Sequence, residues 1–268
     1  MIKLIASDMD GTLLNSNKHL SPSIHGVLKK LKDKDIIFVA ISGRDIFSLK
    51  EIFKDIKEDI VYASNNGNYI TYKDEVIFEN YIENNMVGKV AKIIRKKAKH
   101  NTIYCAKDTI YSESIIPGIV GRKWNLKVKY VRDITKVEDK ILKITTFGNK
   151  NIINRALEAV NELNDKLMIT KSGSTCFDMC RLGGTKKQGI NILQEIFNVG
   201  YNETMVFGDH MNDLEMMSSA YYSYAMENAE EKVKRNARFI AETNDDDGVI
   251  KVIKEVVFCE EKLNSYSI

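Results

Sequence analysis

The sequence has little proline and no long apolar run. Its 268 residues include only 2 prolines and 15 glycines, and no Pro-rich or Gly/Ser-rich stretch that would form a linker. The longest uninterrupted apolar run covers residues 36–41, far fewer than the ~20 residues that cross a bilayer. With 44% hydrophobic and 29% charged residues, the composition excludes disorder as the main state. We therefore expect a globular protein with no membrane partner.

An excess of charge of one sign is also missing. The 40 Lys and Arg residues nearly balance the 37 Asp and Glu residues, which leaves a formal net charge of +3. A dedicated nucleic-acid-binding domain is usually strongly basic, so we expect no nucleic-acid partner. The same balance of charge is compatible with a small anionic substrate.

Cysteine is sparse, and its spacing indicates no metal site. Cys176 and Cys180 lie near each other, but no second Cys or His pair completes a zinc site. Asp8 and Asp10 interrupt the first apolar residues, unlike the apolar core of a signal peptide. We expect a cytoplasmic protein with four free thiols, at Cys105, Cys176, Cys180 and Cys259.

Strand and helix patterns alternate at both ends of the chain. Apolar strands are predicted at residues 2–7, 36–41 and 60–63, with a helix over 21–31 that uses Ser21 as its N-cap. The last third continues with strands at 204–207, 220–225 and 238–241, and with helices over 187–199, 211–218, 228–236 and 248–262. This alternation predicts an α/β core with a doubly wound parallel sheet.

The middle of the chain has a different pattern, with short strands around two amphipathic helices. We expect an inserted, smaller α+β domain over residues 83–184, between core segments 1–82 and 185–268. No linker marks its edges.

Three polar turns follow three predicted core strands, at residues 8–13, 42–44 and 208–213. Ligands bind beyond the carboxyl ends of strands in open parallel sheets, so these turns are expected to converge. Four carboxylates would then crowd together, which favours a hard divalent cation, and an oxygen-only donor set favours Mg²⁺. The carboxylates belong to Asp8, Asp10, Asp209 and Asp213.

Groups that hold anions are expected around this cation. They are the Ser42 hydroxyl, the backbone amides of Gly11 and Gly43, and a lysine from residues 184–187. Carboxylates with Mg²⁺ facing such donors are typical of phosphoryl transfer. Arg44 is expected to contact either a substrate group or a structural carboxylate, and Asp213 could instead cap the following helix.

The ordered motifs resemble those of the haloacid dehalogenase superfamily. They are Asp8-x-Asp10-Gly11-Thr12, Ser42-Gly43-Arg44, a lysine, and Gly208-Asp209-x-x-Asn212-Asp213. The segments 225–229 and 247–249 resemble the tail of its Cof-type hydrolases, which carry a type IIB α/β cap on a Rossmann-like core. Two departures are Glu227, where relatives usually carry Gly, and Lys186-Lys187, which leaves Lys187 open as an alternative to Lys186.

The resemblance implies a role for each matching residue. Asp8 would be the nucleophile that forms an aspartyl-phosphate, and Asp10 the general acid and base. Mg²⁺ would bind the Asp8 carboxylate, the Asp10 backbone carbonyl and Asp209, with Asp213 in support. The phosphate-binding residues would be Met9, Ser42, Gly43, Lys186 and Asn212.

The expected function is that of a Mg²⁺-dependent phosphatase acting on a small phosphorylated metabolite, such as a sugar phosphate. The inserted domain would act as a cap that excludes water and selects the leaving group. Two alternatives stay open: a phosphotransferase or phosphomutase, and a non-catalytic phospho-receiver or metabolite sensor. The chain is expected to be a monomer or a homodimer.

Overall fold

The chain folds into two compact units. The computed structural model describes residues 1–56, 59–98, 101–117, 128–172 and 175–258. One unit contains Met1–Phe78 and Thr185–Ile268, and the other contains Glu79–Gly184. The first unit is therefore made of two segments that the second interrupts along the chain. Cys259 lies outside the described residues.

The first unit is built on an eight-stranded sheet. Its strands are β1 (Leu4–Ser7), β2 (Ile37–Ile41), β3 (Val61–Ser64), β4 (Tyr69–Tyr72), β5 (Glu75–Glu79), β12 (Thr204–Gly208), β13 (Tyr222–Met226) and β14 (Phe239–Ala241). Their order is β14-β13-β12-β1-β2-β3-β4-β5. The six strands from β14 to β3 are parallel, and β4 runs antiparallel to β3.

Helices cover this sheet. They are α1 (Ile24–Asp33), α2 (Ile46–Ile52), α5 (Lys186–Phe197), α6 (Glu231–Asn236) and α7 (Gly248–Ile253). Every residue of the two central strands β1 and β12 is buried, as the continuous apolar runs indicate for strands covered on both faces. The mixed α/β fold with a parallel-sheet core is confirmed.

In the first segment of this unit, a hairpin and the start of a helix differ from the sequence-based expectation. The hairpin of β4 and β5 was not predicted, because its turn residues are Lys73 and Asp74 rather than a typical Asn-Gly pair. The first helix begins at Ile24 rather than residue 21, and Ser21 does not cap it. The Ser21 hydroxyl instead donates to Asp247 Oδ2 (2.8 Å).

Two predicted helices in the last third are shorter than expected. Residues 211–218 form two short 3₁₀ turns, Met211–Asp213 and Met216–Ser219. The helix expected from residue 228 starts only at Glu231. The last helix is α-helical over Gly248–Ile253 and π-helical over Lys254–Phe258, and residues 259–262 of the expected helix lie outside the described residues.

The second unit has its own sheet and its own hydrophobic core. Its strands are β6 (Thr102–Ala106), β7 (Ile110–Ser112), β8 (Val128–Tyr130), β9 (Ile141–Phe147), β10 (Leu167–Ser172) and β11 (Cys176–Arg181), in the order β10-β11-β9-β6-β7-β8. Apolar residues of α3 (Asn84–Lys97) and α4 (Lys150–Val160) share a buried cluster with these strands.

A short polar row lies on β9 and β11 of this unit. Lys143 and Thr145 point to the same side of β9 because side chains alternate along a strand, and Asp178 lies opposite Thr145 on β11. Thr145 Oγ1 donates to Asp178 Oδ1 on the neighbouring strand (2.5 Å). The sheet of the second unit therefore presents charged and hydroxyl groups on the side away from the side chains of its core.

In the described part of the chain, no helix has the length and apolar character needed to cross a membrane.

Candidate active site

The first candidate turn follows directly from the central strand. After Ser7, the Asp8 amide donates to the Phe207 carbonyl (3.0 Å), and the Asp8 side chain is buried. The turn closes when the Leu14 amide donates to the Met9 carbonyl (2.8 Å). Since the Met9 side chain is fully buried in the core, only its backbone can contact a phosphoryl group.

Lys186 links two of the predicted turns. It is the first residue of α5, whose N-cap Thr185 accepts from the Gln188 amide (3.2 Å). The Lys186 side chain is fully buried, and its Nζ donates to Asp8 Oδ1 and to Asp213 Oδ1 (2.6 Å). Burial opposes the charged ammonium, but the Asp213 and Asp8 carboxylates outweigh it and raise the pKa of Lys186.

Two glycines bring α5 into this position. Gly67 has a φ of +83°, and a Cβ built on it would lie 3.0 Å from the Gly189 Cα. A Cβ on Gly189 would in turn lie 3.1 Å from the Gly67 Cα. The start of α5 therefore packs backbone against backbone on the turn after β3, and side chains at these positions would push Lys186 away.

Asp213 builds the turn that follows β12. Its Oδ2 accepts from the amides of Asp209 and His210 (3.0 Å each), and the side chain is fully buried. A Cβ on Gly208 would lie 2.5 Å from the Asp213 Cβ, so this strand end requires glycine. Asp213 thus caps its own turn rather than a following helix, and both of its oxygens already accept hydrogen bonds.

Asp209 is held by the turn after β1. Its Oδ1 accepts from Thr12 Oγ1 (2.6 Å). Gly11 has a φ of +81°, and a Cβ there would lie 2.5 Å from Asp209 Oδ2. The two turns are therefore in direct contact, as the convergence of strand ends predicts.

The carboxylates of Asp8, Asp209 and Asp213 form one group. One oxygen of each lies within 4.8 Å of the others. Burial raises the pKa of Asp8 to about 8 although Lys186 acts against it, and burial also raises the pKa of Asp209. One ammonium cannot balance three carboxylates, of which Asp8 and Asp213 are buried and Asp209 is half-buried. An oxygen-only set with excess negative charge fits Mg²⁺, and Asp8 and Asp209 are suited to hold it.

The Asp10 side chain lies outside this carboxylate group. Arg44 binds it through two hydrogen bonds, Nε to Oδ2 and Nη2 to Oδ1, both 2.7 Å. Lys18 Nζ lies 3.0 Å from Asp10 Oδ1. Burial alone would raise the pKa of Asp10, but the hydrogen bonds from Arg44 and Lys18 hold it at about 2. Arg44 therefore contacts a carboxylate of the protein, one of the two alternatives left open by the sequence.

The donor groups of the second and fourth motifs meet at Asn66. Ser42 is buried, and its carbonyl accepts from the Asn66 amide (2.8 Å). Asn212 Nδ2 donates to Asn66 Oδ1 (3.2 Å), and a Cβ on Gly43 would lie 3.3 Å from the same oxygen. The structure thus brings Ser42, Gly43 and Asn212 together around one residue, Asn66.

Sequence reasoning missed two residues of this arrangement. Asn66 stands in the turn after β3 with a φ of +59°, and the run Asn65-Asn66-Gly67 behind an apolar strand was a usable signal for an unusual turn. Lys18 also has a positive φ, of +64°, but its sequence neighbourhood carries no motif. Its contact with Asp10 is visible only in three dimensions.

Comparison with known proteins identifies the family. A sequence model described as haloacid dehalogenase-like hydrolase matches residues 5–253. The chain belongs to this family. The match confirms both the resemblance predicted from the motifs and the enzyme class, a hydrolase of the haloacid dehalogenase type.

Three relatives illustrate the similarity. YbjI of Escherichia coli, named a 5-amino-6-(5-phospho-D-ribitylamino)uracil phosphatase, is 28% identical over 96% of both chains. YcsE of Bacillus subtilis carries the same phosphatase name and is 29% identical over 96% of both chains. The structure of BT4131, described as a HAD subclass IIB sugar phosphatase, has the same fold, with a TM-score of 0.77, 24% identity, and coverage of 95% of this chain and 98% of that one.

Proposed function

We propose that this protein is a Mg²⁺-dependent phosphatase that hydrolyses a small phosphorylated metabolite through an aspartyl-phosphate. One observation carries the proposal: a fully buried Lys186 ammonium joins Asp8 to Asp213 beside the carboxylate of Asp209. A buried charge is costly unless it is paired, and three carboxylates around one ammonium leave negative charge that a bound cation would balance. Phosphoryl transfer uses such a cation together with donors to the anionic phosphoryl group.

In the first half-reaction, a carboxylate oxygen of Asp8 attacks phosphorus and forms a new P–O bond. The ester P–O bond breaks, and the leaving oxygen takes a proton from Asp10. Asp10 must first leave Arg44 and Lys18 and take up a proton when substrate binds, because their hydrogen bonds keep its carboxyl ionised. In the second half-reaction, Asp10 takes a proton from water, whose oxygen attacks the same phosphorus. The Asp8–phosphorus bond then breaks, which releases inorganic phosphate and regenerates both carboxyl groups.

The residues around Asp8 support this chemistry by holding charge. Lys186 and Asn212 would bind phosphoryl oxygens, together with the hydroxyl of Ser42 and the amide of Gly43. Mg²⁺ held by Asp8, Asp209 and the Asp10 carbonyl, with Asp213 in support, would lower the repulsion between the nucleophile and the phosphoryl group. Asp213 would act through the turn that it builds.

We propose that the second unit selects the leaving group. Its sheet carries Lys143, Thr145 and Asp178 as a polar row, which suits a hydroxylated or charged small molecule. The names of YbjI and YcsE add one specific phosphomonoester to the sugar phosphates as a candidate substrate.

The proposal is tested with a panel of phosphorylated metabolites that includes sugar phosphates, pyridoxal phosphate, flavin mononucleotide and the substrate named for YbjI. Release of inorganic phosphate is measured with Mg²⁺ and with EDTA, for the wild type and for Asp8→Asn and Asp10→Asn. We expect hydrolysis by the wild type with Mg²⁺ only, and none by Asp8→Asn. Wild-type rates in Asp8→Asn, or undiminished rates in EDTA, would contradict the mechanism.

A further inference from the structure

The segment that follows β13 bridges the two turns of the carboxylate group. Asn228 Nδ2 donates to the Gly11 carbonyl (2.8 Å), in the turn after β1. Two residues further on, the Glu230 amide donates to the Asp209 carbonyl (2.9 Å), in the turn after β12. One short stretch of chain therefore holds both turns, although neither contact belongs to the motifs that carry the chemistry.

A second asparagine, Asn244, connects Asn228 to the end of the turn after β1. The Asn244 amide donates to Asn228 Oδ1 (3.1 Å), so both ends of the Asn228 side chain are engaged. Asn244 Nδ2 donates to the Leu14 carbonyl (2.9 Å), at the end of the turn after β1. Asn244 is buried, whereas Asn228 is exposed. The turn that carries Asp8 is thus held at Gly11 and at Leu14.

Gly11 and the Asp209 carboxylate pack closely against each other. A single added carbon on Gly11 would lie 2.5 Å from Asp209 Oδ2, and the adjacent Thr12 hydroxyl binds the other oxygen of that carboxylate. A shift of the Gly11 backbone therefore moves the surface against which the Asp209 carboxylate rests. The position of Asp209 depends on how firmly Gly11 is held.

We propose that Asn228 is a positioning residue of the cation site. With Asn244, it fixes the Gly11 backbone against Asp209 and so sets the distance between the turns that carry Asp8 and Asp209. This inference rests on the proposed function in assigning Mg²⁺ to those two carboxylates. Asn228 itself contacts neither the cation nor the substrate.

The test measures metal binding without substrate. Isothermal titration calorimetry gives the Mg²⁺ dissociation constant of the full chain, for the wild type and for Asn228→Ala. The matched control is Asn236→Ala, since Asn236 is also exposed and its Nδ2 also donates to a backbone carbonyl, that of Lys232 (2.8 Å). Thermal unfolding without metal is recorded for all three proteins.

We expect Asn228→Ala to raise the Mg²⁺ dissociation constant by about tenfold, as a lost hydrogen bond of ordinary strength would, while the thermal midpoint stays near that of Asn236→Ala. Asn236→Ala should bind Mg²⁺ as the wild type does. Equal Mg²⁺ affinity in the two variants would overturn the inference. A loss of affinity that appears only together with a loss of thermal stability would also overturn it, because Asn228 would then be merely structural.

A failure of the proposed function can be distinguished from a failure of this inference. A wild type that binds Mg²⁺ but releases no phosphate from any substrate would contradict the phosphatase proposal. Weaker Mg²⁺ binding by Asn228→Ala in that protein would still support the positioning role.

Discussion

At the scale of single residues, the site is defined by charges that must be held together. Lys186 is the clearest case, because its ammonium is fully buried between Asp8 and Asp213. The sequence left Lys187 open as an alternative, since both lysines precede the same helical pattern. Only burial and contact separate them: Lys186 is fully buried, and Lys187 is half-buried.

Replacing Lys186 by Met leaves two buried carboxylates facing each other without a counter-charge. We expect Lys186→Met to lower the free energy of unfolding by about 3–5 kcal/mol, as breaking a buried ion pair does. Phosphate release should fall by at least about 10²-fold, the loss typical of a donor to a developing charge. Urea unfolding and a phosphate-release assay give the two values.

Lys187→Met is the matched control for this experiment, and we expect it to retain both stability and activity. The assignment of Lys186 would fail if the two variants lost activity equally.

Gly11 permits a comparison with Gly183, because the two glycines have nearly the same backbone conformation, with φ of +81° and +80°. Alanine at either position is strained by about 1–3 kcal/mol. Only at Gly11 would the added carbon meet the Asp209 carboxylate, whereas nothing lies within 4 Å of a Cβ on Gly183. We expect both variants to unfold at lower temperature, and only Gly11→Ala to lose Mg²⁺ binding and phosphate release.

Calorimetric Mg²⁺ titration and differential scanning calorimetry of the two glycine variants make that comparison. Loss of Mg²⁺ binding in Gly183→Ala would show that backbone strain, and not contact with Asp209, is responsible.

At the scale of elements, a charged network joins three segments of the second unit. Arg95 on α3 binds Glu113 after β7 (Nε to Oε2, 2.8 Å) and Asp133 (2.6 Å). Asp133 caps the 3₁₀ turn Ile134–Lys136 by accepting from the Thr135 amide (3.1 Å) and hydroxyl (2.8 Å). The network therefore couples helix α3 to the connection between β8 and β9.

This network predicts a dependence of stability on pH. The hydrogen bonds from Thr135 and then Arg95 lower the pKa of Asp133 from 3.8 to about 2. A carboxyl whose pKa is lower in the folded than in the unfolded protein stabilises the fold. Its contribution to the free energy of unfolding is complete above the unfolded pKa and is lost as pH falls through the folded pKa. The contribution of Asp133 should therefore be complete above about pH 4 and disappear toward pH 2.

Asp133→Asn should remove this acid-sensitive contribution to the folding stability. The difference between the thermal midpoints of the wild type and Asp133→Asn is expected to be largest above pH 4 and to shrink toward pH 2. Asp165→Asn, at an exposed position of the same unit, serves as control and should follow the wild type. A difference that stays constant over this pH range would contradict the role of the network.

How far elements could be predicted depends on how strongly a local pattern specifies them. The runs at β1, β2 and β12 are continuous and apolar, because they are covered on both faces, and they were predicted. The strand β5 has no buried residue, and its apolar run Val76-Ile77-Phe78 is too short to specify a strand by itself. The pattern over residues 211–218 predicted one helix, but the chain forms two short 3₁₀ turns there, Met211–Asp213 and Met216–Ser219.

At the scale of the whole molecule, the order of motifs along the chain was sufficient to predict the family and the fold. The turns that the sheet rule brings together are in contact, through Gly11 and Asp209 and through Lys186. The bridges made by Asn228 and Asn244 were not predictable, because each consists of a few hydrogen bonds between segments that are distant along the chain. Such contacts leave no periodic pattern in a sequence.

The pairing of β1 has a consequence for synthesis on the ribosome. Leu4 lies opposite Ile37 on one side and Thr204 on the other, so one neighbour is made early and the other late. Asp8 therefore leaves the ribosome about 200 residues before Asp209, and at 5–20 residues per second this is roughly 10–40 seconds. Throughout that interval the nascent polypeptide carries Asp8 without Asp209, and the carboxylate group can form only after Asp213 has also been made.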